Sequence, residues 1–426
     1  MRRNIIIWLL ALCLFVSLVG AADYNLNVHT IGNVHEADGS ELYDVDLDGD
    51  YDFISCDSVG GIVYWFENDG FEWTRRQIAN GLKANVQSSC AGDLNEDNIT
   101  EVFFTDTDLY IATPDNTTNV SFGNWSKLRL NIDTVGAQSC RVINGELGDT
   151  KGVIYTWEGN LASNGGIVLA EYKGGALLNN DSWEIHDIVV HAGAWGTNNN
   201  AFFDIEEDGT ADDIVFTSRG GHTNPAPDTG LFWAEPNPNN YTASWTVHTI
   251  DDSLSWGLHL TVGNFTGDSD KDIMFGTYGG AVYVYDFADD YSRTNIFTGG
   301  SPFYTLTAVD MDNNLRDEIF YSSGGTIYIR YWTGSGWGTG FSSSGSYTKS
   351  DDDAFAIDMN NDGYLELAWA SQDSDKVYYA TTAARQQQKV SIDASDNTVS
   401  HSFYKDLGDR ATSNSSTVNW GGLSWT

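Results

Sequence analysis

Asp44-Val45-Asp46-Leu47-Asp48-Gly49-Asp50-Tyr51-Asp52 is the stretch of sequence that decides the fold, because acidic side chains alternate with other residues around one glycine. A calcium ion takes about six to eight oxygen ligands, and a tight loop supplies them from positions 1, 3, 5, 7 and 9. Glycine at position 6 permits the turn. The stretch predicts a cation-binding loop, although one isolated copy is equally well explained as a solvated acidic turn.

The motif recurs along the chain at intervals of 46 to 60 residues. Further copies begin at Asp93, Asp204, Asn264, Asp310 and Asp358, and a unit that has lost its acids begins at Asn144. This interval is close to the roughly 40–50 residues of one four-stranded propeller blade. Short β-branched and aromatic runs on both sides of each loop favour strands. We therefore expect an all-β, seven-bladed β-propeller, with calcium loops between the first and second strands of most blades.

The N-terminal segment supplies the strand that the last repeat lacks. The seventh unit has only three strands before Thr381, whereas Leu26–Ile31 precedes the first loop and belongs to no blade of its own. This segment aligns with the outer strand Trp245–Ile250. We expect it to pair with the seventh blade and close the ring, which protects strand edges from aggregation.

The acidic loops are candidate calcium sites, up to six in number and structural in role. Their candidate ligands are the oxygen-bearing side chains at the alternating and closing positions: Asp44, Asp46, Asp48, Asp50, Asp52, Asp93, Asn95, Asp97, Glu101, Asp204, Glu206, Asp208, Asp212, Asn264, Thr266, Asp268, Asp272, Asp310, Asp312, Asn314, Glu318, Asp358, Asn360, Asp362 and Glu366. Either Asp212 or Asp213 can close the Asp204 loop. Leu315 replaces the glycine of its loop, where a positive φ is strained. The unit at Asn144 is expected to bind no cation.

Asp44–Asp52, together with Gly60-Gly61-Ile-Val-Tyr-Trp-Phe-Glu-Asn68-Asp-Gly70, resembles the FG-GAP/VCBS repeat. The resemblance extends over residues 24 to about 382. It implies a calcium-stabilised propeller similar to those of integrin α-subunits and of many secreted microbial adhesins and polysaccharide-associated proteins. It also implies that the calcium loops are structural and lie on the face opposite the usual ligand surface.

The ends of the chain predict export. Arg2 and Arg3 precede an apolar run that ends in small residues, which is the order of a secretory signal, and the run is short for a membrane anchor. The domains are then a signal peptide at 1–22, the propeller at 23–384, and a polar tail, linker or incomplete β domain at 385–426. The expected location is extracellular or at the cell surface, without membrane insertion after the signal is removed.

The three cysteines outside the predicted signal peptide are Cys56, Cys90 and Cys140. An odd number permits one disulfide at most. Cys90 and Cys140 precede successive repeats, so they predict either a bridge between neighbouring blades or buried free thiols.

Composition and motifs indicate recognition more than catalysis. The net charge of −39 argues against nucleic-acid partners. His29, His186 and His248 occupy one equivalent position on outer strands, which favours structural roles, and the other histidines form no known metal or catalytic spacing. Whether the chain is an enzyme is left open, with no catalytic residue assigned. Nothing in the sequence indicates an oligomeric state.

Aromatic residues that precede three consecutive acidic loops are candidates for ligand binding. They are Trp195, Trp256, Phe303 and Tyr304. Exposed rings suit stacking on sugars or burial in a protein interface, whereas buried rings fill the wall between blades. The favoured function is an extracellular recognition or adhesion module for a glycan or protein ligand. The alternatives are a lyase-like enzyme that acts on polysaccharides and a structural component of the cell surface.

Overall fold

The computed structural model describes residues 26–115, 120–130, 137–157, 166–190, 194–195, 202–203, 205, 212–219, 229–237, 239–254, 257–268, 271–287, 289, 291–299, 302–312, 314–345, 354–360, 364–382, 392–393 and 398–399. The predicted signal peptide lies outside these residues, as does most of the tail. Two short strands of the tail are described, β30 (Ile392–Asp393) and β31 (Thr398–Val399), and they pair antiparallel.

The first three blades are four-stranded antiparallel meanders. Blade 1 consists of β2 (Ala37–Tyr43), β3 (Asp52–Asp57), β4 (Ile62–Asp69) and β5 (Glu72–Ala79). Blade 2 consists of β6 (Ser88–Gly92), β7 (Glu101–Thr105), β8 (Leu109–Pro114) and β9 (Trp125–Arg129). Blade 3 consists of β10 (Ala137–Leu147), β11 (Thr150–Trp157), β12 (Gly166–Tyr172) and β13 (Trp183–Val190).

The next three blades repeat this plan, except that the inner strand of blade 4 is in two pieces. Blade 4 consists of β14 (Ala194–Trp195), β15 (Phe202–Phe203), β16 (Asp213–Arg219), β17 (Thr229–Glu235) and β18 (Thr246–Asp251). Blade 5 consists of β19 (Gly257–Gly263), β20 (Asp272–Thr277), β21 (Ala281–Asp286) and β22 (Ser292–Thr298). Blade 6 consists of β23 (Phe303–Val309), β24 (Glu318–Ser323), β25 (Thr326–Trp332) and β26 (Trp337–Ser344).

Blade 7 combines the two ends of the repeat region. Its strands are β27 (Phe355–Ile357), β28 (Glu366–Ser371), β29 (Lys376–Thr382) and the N-terminal strand β1 (Leu26–Asn33). β1 pairs antiparallel with β29, from Leu26 opposite Thr382 to Asn33 opposite Lys376. The structure thus contains the predicted pairing of the N-terminal strand with the seventh blade.

The hydrophobic core lies between the blades. The described residues form seven buried clusters, and each combines residues of two neighbouring blades. The cluster between blades 7 and 1 contains Ile31, Phe53, Phe66, Met359 and Ala368. Because the second strand of a blade faces neighbours on both sides, all residues of β3, β20 and β28 are buried. The outer strand β22 is mostly exposed.

The meander places the connections of each blade on two opposite faces of the disc. Loops between first and second strands share one face with the connections between third and fourth strands, and we call this the loop face. The turns between second and third strands, and the connections to the next blade, lie on the opposite face, which we call the turn face. Within the described residues, three short 3-10 helices lie in connections between strands, namely Val120–Phe122, Asn180–Ser182 and Gln372–Ser374. The described residues include no helix long and apolar enough to cross a membrane.

A disulfide joins blades 2 and 3. Cys90 of β6 is bonded to Cys140 of β10, with their Cα atoms 5.8 Å apart, while Cys56 is buried and takes no part in a disulfide. The bond therefore connects the inner strands of neighbouring blades, which is the first of the two arrangements that the sequence allowed.

We predict that reduction of this disulfide destabilises the propeller. The bond closes a loop with a sequence separation of 50 residues, and the loss of chain entropy in the unfolded state corresponds to about 4 kcal/mol in the chain-entropy model. Thermal unfolding with and without a reducing agent measures the effect. The Cys90→Ala/Cys140→Ala variant should be less stable and insensitive to the reductant. A wild-type midpoint that is unchanged under reduction would contradict the prediction.

Candidate metal centre

The acidic loops are folded around their first residue. In blade 1, Asp44 Oδ1 accepts a hydrogen bond from the backbone N–H of Asp48 at 3.1 Å, and Asp44 Oδ2 accepts one from Gly49 at 3.0 Å. Asp93 and Asp310 accept the same two bonds in their loops. A carboxylate at position 1 therefore organises the turn as well as offering oxygen atoms to a cation.

The third and fifth positions point toward the same centre. Asp48 Oδ1 accepts the N–H of position 7, and Asp97 and Asn314 do so in their own loops. Carboxylate oxygens of Asp44, Asp46 and Asp48 all lie within 4.8 Å of one another. Carboxylate oxygens of Asp310, Asp312 and Glu318, in the loop of blade 6, also all lie within 4.8 Å of one another. In each of these two loops, the structure therefore places close together residues that the sequence assigned to a single site.

The closing acid of each loop holds the residue at position 2. Asp52 Oδ2 accepts the N–H of Val45 at 2.9 Å, and Glu101 Oε2 accepts that of Leu94 at 3.0 Å. Asp272, Glu318 and Glu366 make the equivalent bond to Phe265, Met311 and Met359. The residue at position 2 is buried in each of these loops. The sequence shows an apolar residue directly after the first residue of each acidic loop, and the spacing of the acids alone did not predict this contact.

Asp213 closes the loop of blade 4. Its Oδ2 accepts the N–H of Ile205 at 2.8 Å, the bond that identifies the closing acid in the other loops. Asp212 instead accepts a hydrogen bond from the hydroxyl of Tyr241 at 3.1 Å. The assignment of Asp212 to the closing position is therefore corrected to Asp213, because this loop is one residue longer than the others. Asp204, Glu206 and Asp208 lie outside the described residues.

The loop of blade 5 has a different chemistry. Thr266 donates its hydroxyl to Asp272, and Asn264 Oδ1 accepts the N–H of Gly267 at 2.7 Å. The guanidinium of Arg316, from the loop of blade 6, lies against Gly267 and near Asp268 and Asp272. A fixed positive charge beside these carboxylates weakens their attraction for a second cation. Sequence reasoning missed Arg316 because it comes from the neighbouring blade.

The loop of blade 7 is described only in part. Asp358 and Asn360 are described, and Glu366 makes the closing bond, whereas Asp362 lies outside the described residues. In blade 3, β10 and β11 are joined by the short turn Gly148-Asp149, so the long loop of the other blades is replaced. There, Glu146 accepts the N–H of Asn144 and forms an ion pair with Arg141.

Blade 1 adds two residues that the sequence did not indicate. Asp46 Oδ2 accepts a hydrogen bond from the hydroxyl of Ser121 at 3.2 Å, and the same hydroxyl contacts the carboxylate of Glu67. Ser121 belongs to the connection between the third and fourth strands of blade 2. The oxygen-rich environment of Asp46 is therefore built by two blades, which a repeat-by-repeat reading of the sequence does not show.

Buried oxygens without a hydrogen-bond partner indicate that the loops fit a cation. Among the described side chains, Asp46 Oδ1 and Asp272 Oδ1 are buried and lack such a partner. A buried polar atom of this kind costs free energy unless something pairs with it. The donor sets consist of carboxylate, amide, hydroxyl and backbone carbonyl oxygens, which are the ligands of Ca²⁺. The residues present therefore fit a calcium ion.

Burial and crowding raise the pKa values of the loop acids. Burial raises the pKa of Asp52 to about 8 and that of Glu101 to about 8, against the lowering effect of their backbone hydrogen bonds. Burial, followed by the charge of Asp48, raises the pKa of Asp46 to about 6. Burial also raises the pKa of Asp44 and Asp272. Each raised pKa indicates a carboxylate whose negative charge the protein alone compensates poorly.

We predict that, in the presence of a chelator, these acids make the propeller less stable as pH rises. Their folded-state pKa values lie above the unfolded values, so the folded state binds more protons between about pH 4 and about pH 8, and the stability that these groups contribute at low pH is lost across that interval. Denaturant unfolding in EDTA at about pH 5 and about pH 8 measures how much the free energy of unfolding falls as pH rises. This pH-dependent fall should be smaller in the Asp52→Asn and Glu101→Gln variants. Equal slopes in the variants and the wild type would contradict the assignment.

Leu315 adopts the conformation that its loop position requires, with φ at 71°, and its side chain is 78% exposed. A leucine at positive φ is strained, and glycine relieves about 1 kcal/mol of that strain. We predict that Leu315→Gly raises the free energy of unfolding by this amount, measured by chemical denaturation. Leu315→Ala is the matched control, because it removes the side chain and keeps the strain. A gain of equal size in both variants would show that strain is not the cause.

The aromatic ligand prediction is wrong for Phe303. Its ring is fully buried and packs between Phe297 and Tyr321 at centroid distances of 5.6 and 4.9 Å. The physical reason is that Phe303 begins the inner strand β23, whose side chains fill the space between blades. Tyr304 is partly buried and makes an edge contact with His259. Trp195 lies in the short strand β14, and Trp256 falls outside the described residues.

The outer-strand histidines have defined partners. His186 Nε2 is 2.9 Å from Glu171 Oε2, and His248 Nε2 is 2.9 Å from Glu235 Oε2. His29 stacks on the ring of Tyr379. His186 and His248 therefore occupy equivalent positions in blades 3 and 4, as the repeat predicted. Each pairs with a glutamate that lies diagonally across from it on the neighbouring strand.

The fold and the loops define the class of protein as an all-β, seven-bladed propeller. Residues 44–104 match the family model described as the FG-GAP-like repeat, so these residues carry a repeat of that family and the resemblance indicated by the acidic loops is confirmed there. No curated protein matches the chain at a significant level.

Two solved structures show the same fold. One is described as the WD40 β-propeller domain of Doa1, with a TM-score of 0.52 and 14% identity, covering 86% of this chain and 98% of that one. The other is described as YCF48 bound to D1 peptide, with a TM-score of 0.52 and 13% identity, and the same coverage of 86% and 98%. At this identity the likeness concerns the fold alone.

Proposed function

We propose that the chain is an extracellular recognition module, in which calcium ions bound by the acidic loops hold the propeller rigid while the turn face binds a glycan or protein ligand. The observation that carries the calcium part is the preorganised loop, in which backbone N–H groups hold the acids and, among the described residues, Asp46 Oδ1 and Asp272 Oδ1 are buried without a hydrogen-bond partner. The ligand part rests on the turn face, which is separate from the loops.

Neighbouring loops contact each other from blade to blade, which supports a structural role for bound calcium. Tyr51 donates its N–H to Met359 O at 2.8 Å, which connects blades 1 and 7. Asn264 Nδ2 donates to Leu315 O at 2.8 Å, and Asp317 N donates to Asn264 O at 2.8 Å. An ion that fixes one loop therefore also fixes the edge of the next blade.

The turn face is held in place by buried acids. Asp106 and Asp108 lie in the turn between β7 and β8 and are buried. Asp106 Oδ2 accepts the N–H of Lys83, and Asp108 forms ion pairs with Lys83 and Arg129. Burial opposes the ionised form, but the hydrogen bonds from Arg129 and Lys83 lower the pKa of Asp108 overall. Lys83 comes from the connection after blade 1, so these contacts fix two blades relative to each other.

Exposed apolar side chains on this rigid surface are candidates for ligand contact. Val59 in the turn of blade 1 is 47% exposed, and Tyr278 in the turn of blade 5 is 46% exposed. A pre-formed surface binds with little loss of conformational entropy. One of the two solved propellers of similar fold is described with a bound peptide, which agrees with recognition by this fold.

A ligand screen on the mature chain, in calcium and in EDTA, tests the proposal. The protein is applied to a glycan array and to extracellular protein extracts, and products of polysaccharide cleavage are assayed in parallel. We expect binding in calcium without turnover, and we expect the Tyr278→Ser/Val59→Ser variant to weaken it. The matched control is Leu47→Asn on the loop face, where Leu47 is 51% exposed at positive φ and asparagine retains the backbone conformation.

The results separate the functional classes. Turnover of a polysaccharide would overturn the recognition proposal in favour of an enzyme. Binding that Leu47→Asn abolishes and Tyr278→Ser/Val59→Ser leaves intact would move the ligand site to the loop face. Self-assembly without any ligand would support a structural surface component instead.

A further inference from the structure

Outside the acidic loops, blade 3 has a second kind of ligand cluster on its outer hairpin. Glu171 lies on β12, and Glu184 and His186 lie on β13. Glu171 is directly opposite Glu184 in the strand register, and His186 follows two residues later on the same side of the strand. The three side chains therefore share one face of a rigid antiparallel pair.

The donor atoms of these side chains are close enough for one ion. A carboxylate oxygen of each glutamate and a ring nitrogen of His186 all lie within 4.8 Å of one another, and His186 Nε2 is 2.9 Å from Glu171 Oε2. Zinc binds histidine nitrogen and carboxylate oxygen at about 2.0–2.2 Å, so its ligand atoms are roughly 3.3 Å apart in a tetrahedral site. A bound zinc ion would therefore require the donor atoms of these three side chains, which rotate about several single bonds, to move closer together.

We propose that Glu171, Glu184 and His186 form a binding site for a divalent transition-metal ion, with zinc as the representative ion and water completing its coordination. An imidazole nitrogen favours such ions, whereas calcium prefers oxygen ligands of the kind found in the acidic loops. Glu171 and His186 have side-chain exposures of only 14% and 15%, which limits competition by solvent. The site is thus distinct in chemistry and position from the candidate calcium loops.

Lys173 acts as the counter-ion of this cluster. Its ammonium group is 2.8 Å from Glu171 Oε1 and 3.9 Å from Glu184 Oε2, and the Lys173 side chain is 48% exposed. Because that side chain is long and half in solvent, it can turn away when a metal ion takes its place. Removal of its charge should therefore strengthen metal binding, whereas a purely structural cluster would lose an ion pair without gaining any affinity.

Blade 4 provides an internal comparison. His248 and Glu235 form the same diagonal pair at 2.9 Å, but Thr246 stands opposite Glu235 where blade 3 has Glu184. Blade 4 thus has the histidine and one carboxylate without the second carboxylate. Glu184→Thr converts the cluster of blade 3 into that of blade 4 and retains a residue that is favourable in strands.

Zinc titration of the mature protein tests the site, with saturating calcium present so that the acidic loops are occupied. We expect one zinc ion to bind, and we expect Glu184→Thr and His186→Ala to weaken its affinity by about tenfold or more. Lys173→Met should strengthen binding, and His248→Ala should leave it unchanged. Cobalt provides a spectroscopic readout, because its visible absorption in this site should disappear in His186→Ala.

The proposal would be overturned if zinc bound equally to the wild type and to Glu184→Thr, or if calcium displaced all bound zinc. Circular dichroism and the unfolding midpoint confirm that each variant is folded. Loss of zinc binding in a folded Glu184→Thr variant, with His248→Ala unaffected, supports the site independently of any ligand of the turn face. Failure of the recognition proposal would leave this result unchanged.

Discussion

Removal of calcium should lower the thermal unfolding midpoint of the propeller by about 10 °C or more. A ligand that binds only the folded state adds about 2.7 kcal/mol for each site held at a hundred times its Kd. Each kcal/mol is worth about 2–4 °C in a domain of about 150–250 residues and less in a larger one, so the expected shift requires several occupied loops. The affected acids include Asp52 and Glu101, whose raised pKa values show how poorly the protein alone compensates their charge. Thermal unfolding in calcium and in EDTA measures the difference.

A matched pair of variants assigns that effect to the loops. Asp310→Asn/Asp312→Asn removes two charges from a cluster whose oxygens lie within 4.8 Å of one another, so it should reduce the calcium-dependent rise in the midpoint. Asp149→Asn removes a charge from the short turn of blade 3, an exposed position on the same face, and should leave the rise intact. An unfolding midpoint that is the same in calcium and EDTA would refute the calcium assignment for all loops.

The repeat made the architecture predictable, because six of the seven blades repeat the same alternation of acidic loop and apolar strand. Even the degenerate unit at Asn144 could be placed, since its apolar run kept the period. The N-terminal strand could be assigned because Leu26–Ile31 aligns with an outer strand and had no other partner. The acidic loop, the apolar run and the outer-strand pattern are each short stretches of sequence, and their recurrence makes each assignment more secure.

Features that depend on contact between blades could not be predicted in this way. Arg316 lies against the loop of the preceding blade, and Ser121 reaches Asp46 from the next blade. Phe303 is buried because it is the first residue of β23, and the spacing of the repeats did not show where that strand begins. The extra residue before Asp213 shifted the closing position by one. Each of these is decided by side-chain packing in three dimensions, and a period along the chain carries no information about it.

The candidate cation loops and the N-terminal strand are connected through blade 7. Its loop ends in Glu366, the first residue of β28, and Tyr51 of the blade 1 loop donates to Met359 in that same blade. Calcium therefore should stabilise the seam between the first and last blades as well as each loop. This coupling has a consequence for β1, the strand that joins the N-terminus to blade 7.

Deletion of β1 should unfold the propeller or leave it aggregated. The segment buries Leu26 and Ile31 in two different inter-blade clusters. Burial of each such side chain is worth about 1.5–3 kcal/mol, so the loss of both reaches the lower end of the roughly 5–15 kcal/mol that holds a domain folded. The deletion also exposes the edge of β29, which invites pairing with other chains. Circular dichroism and size-exclusion chromatography of a chain that begins at residue 34 measure both effects.

Addition of the missing strand as a peptide makes this prediction specific. A synthetic peptide of residues 24–34 should restore the folded state in a concentration-dependent manner, because it can pair with β29 in the register from Leu26 opposite Thr382 to Asn33 opposite Lys376. A peptide with Ile31→Asp should fail, since Ile31 is only 8% exposed in the cluster between blades 7 and 1. If the shortened chain unfolded cooperatively at the wild-type midpoint without any peptide, β1 would be an appendage, and the seam would be held by the remaining contacts of blades 7 and 1.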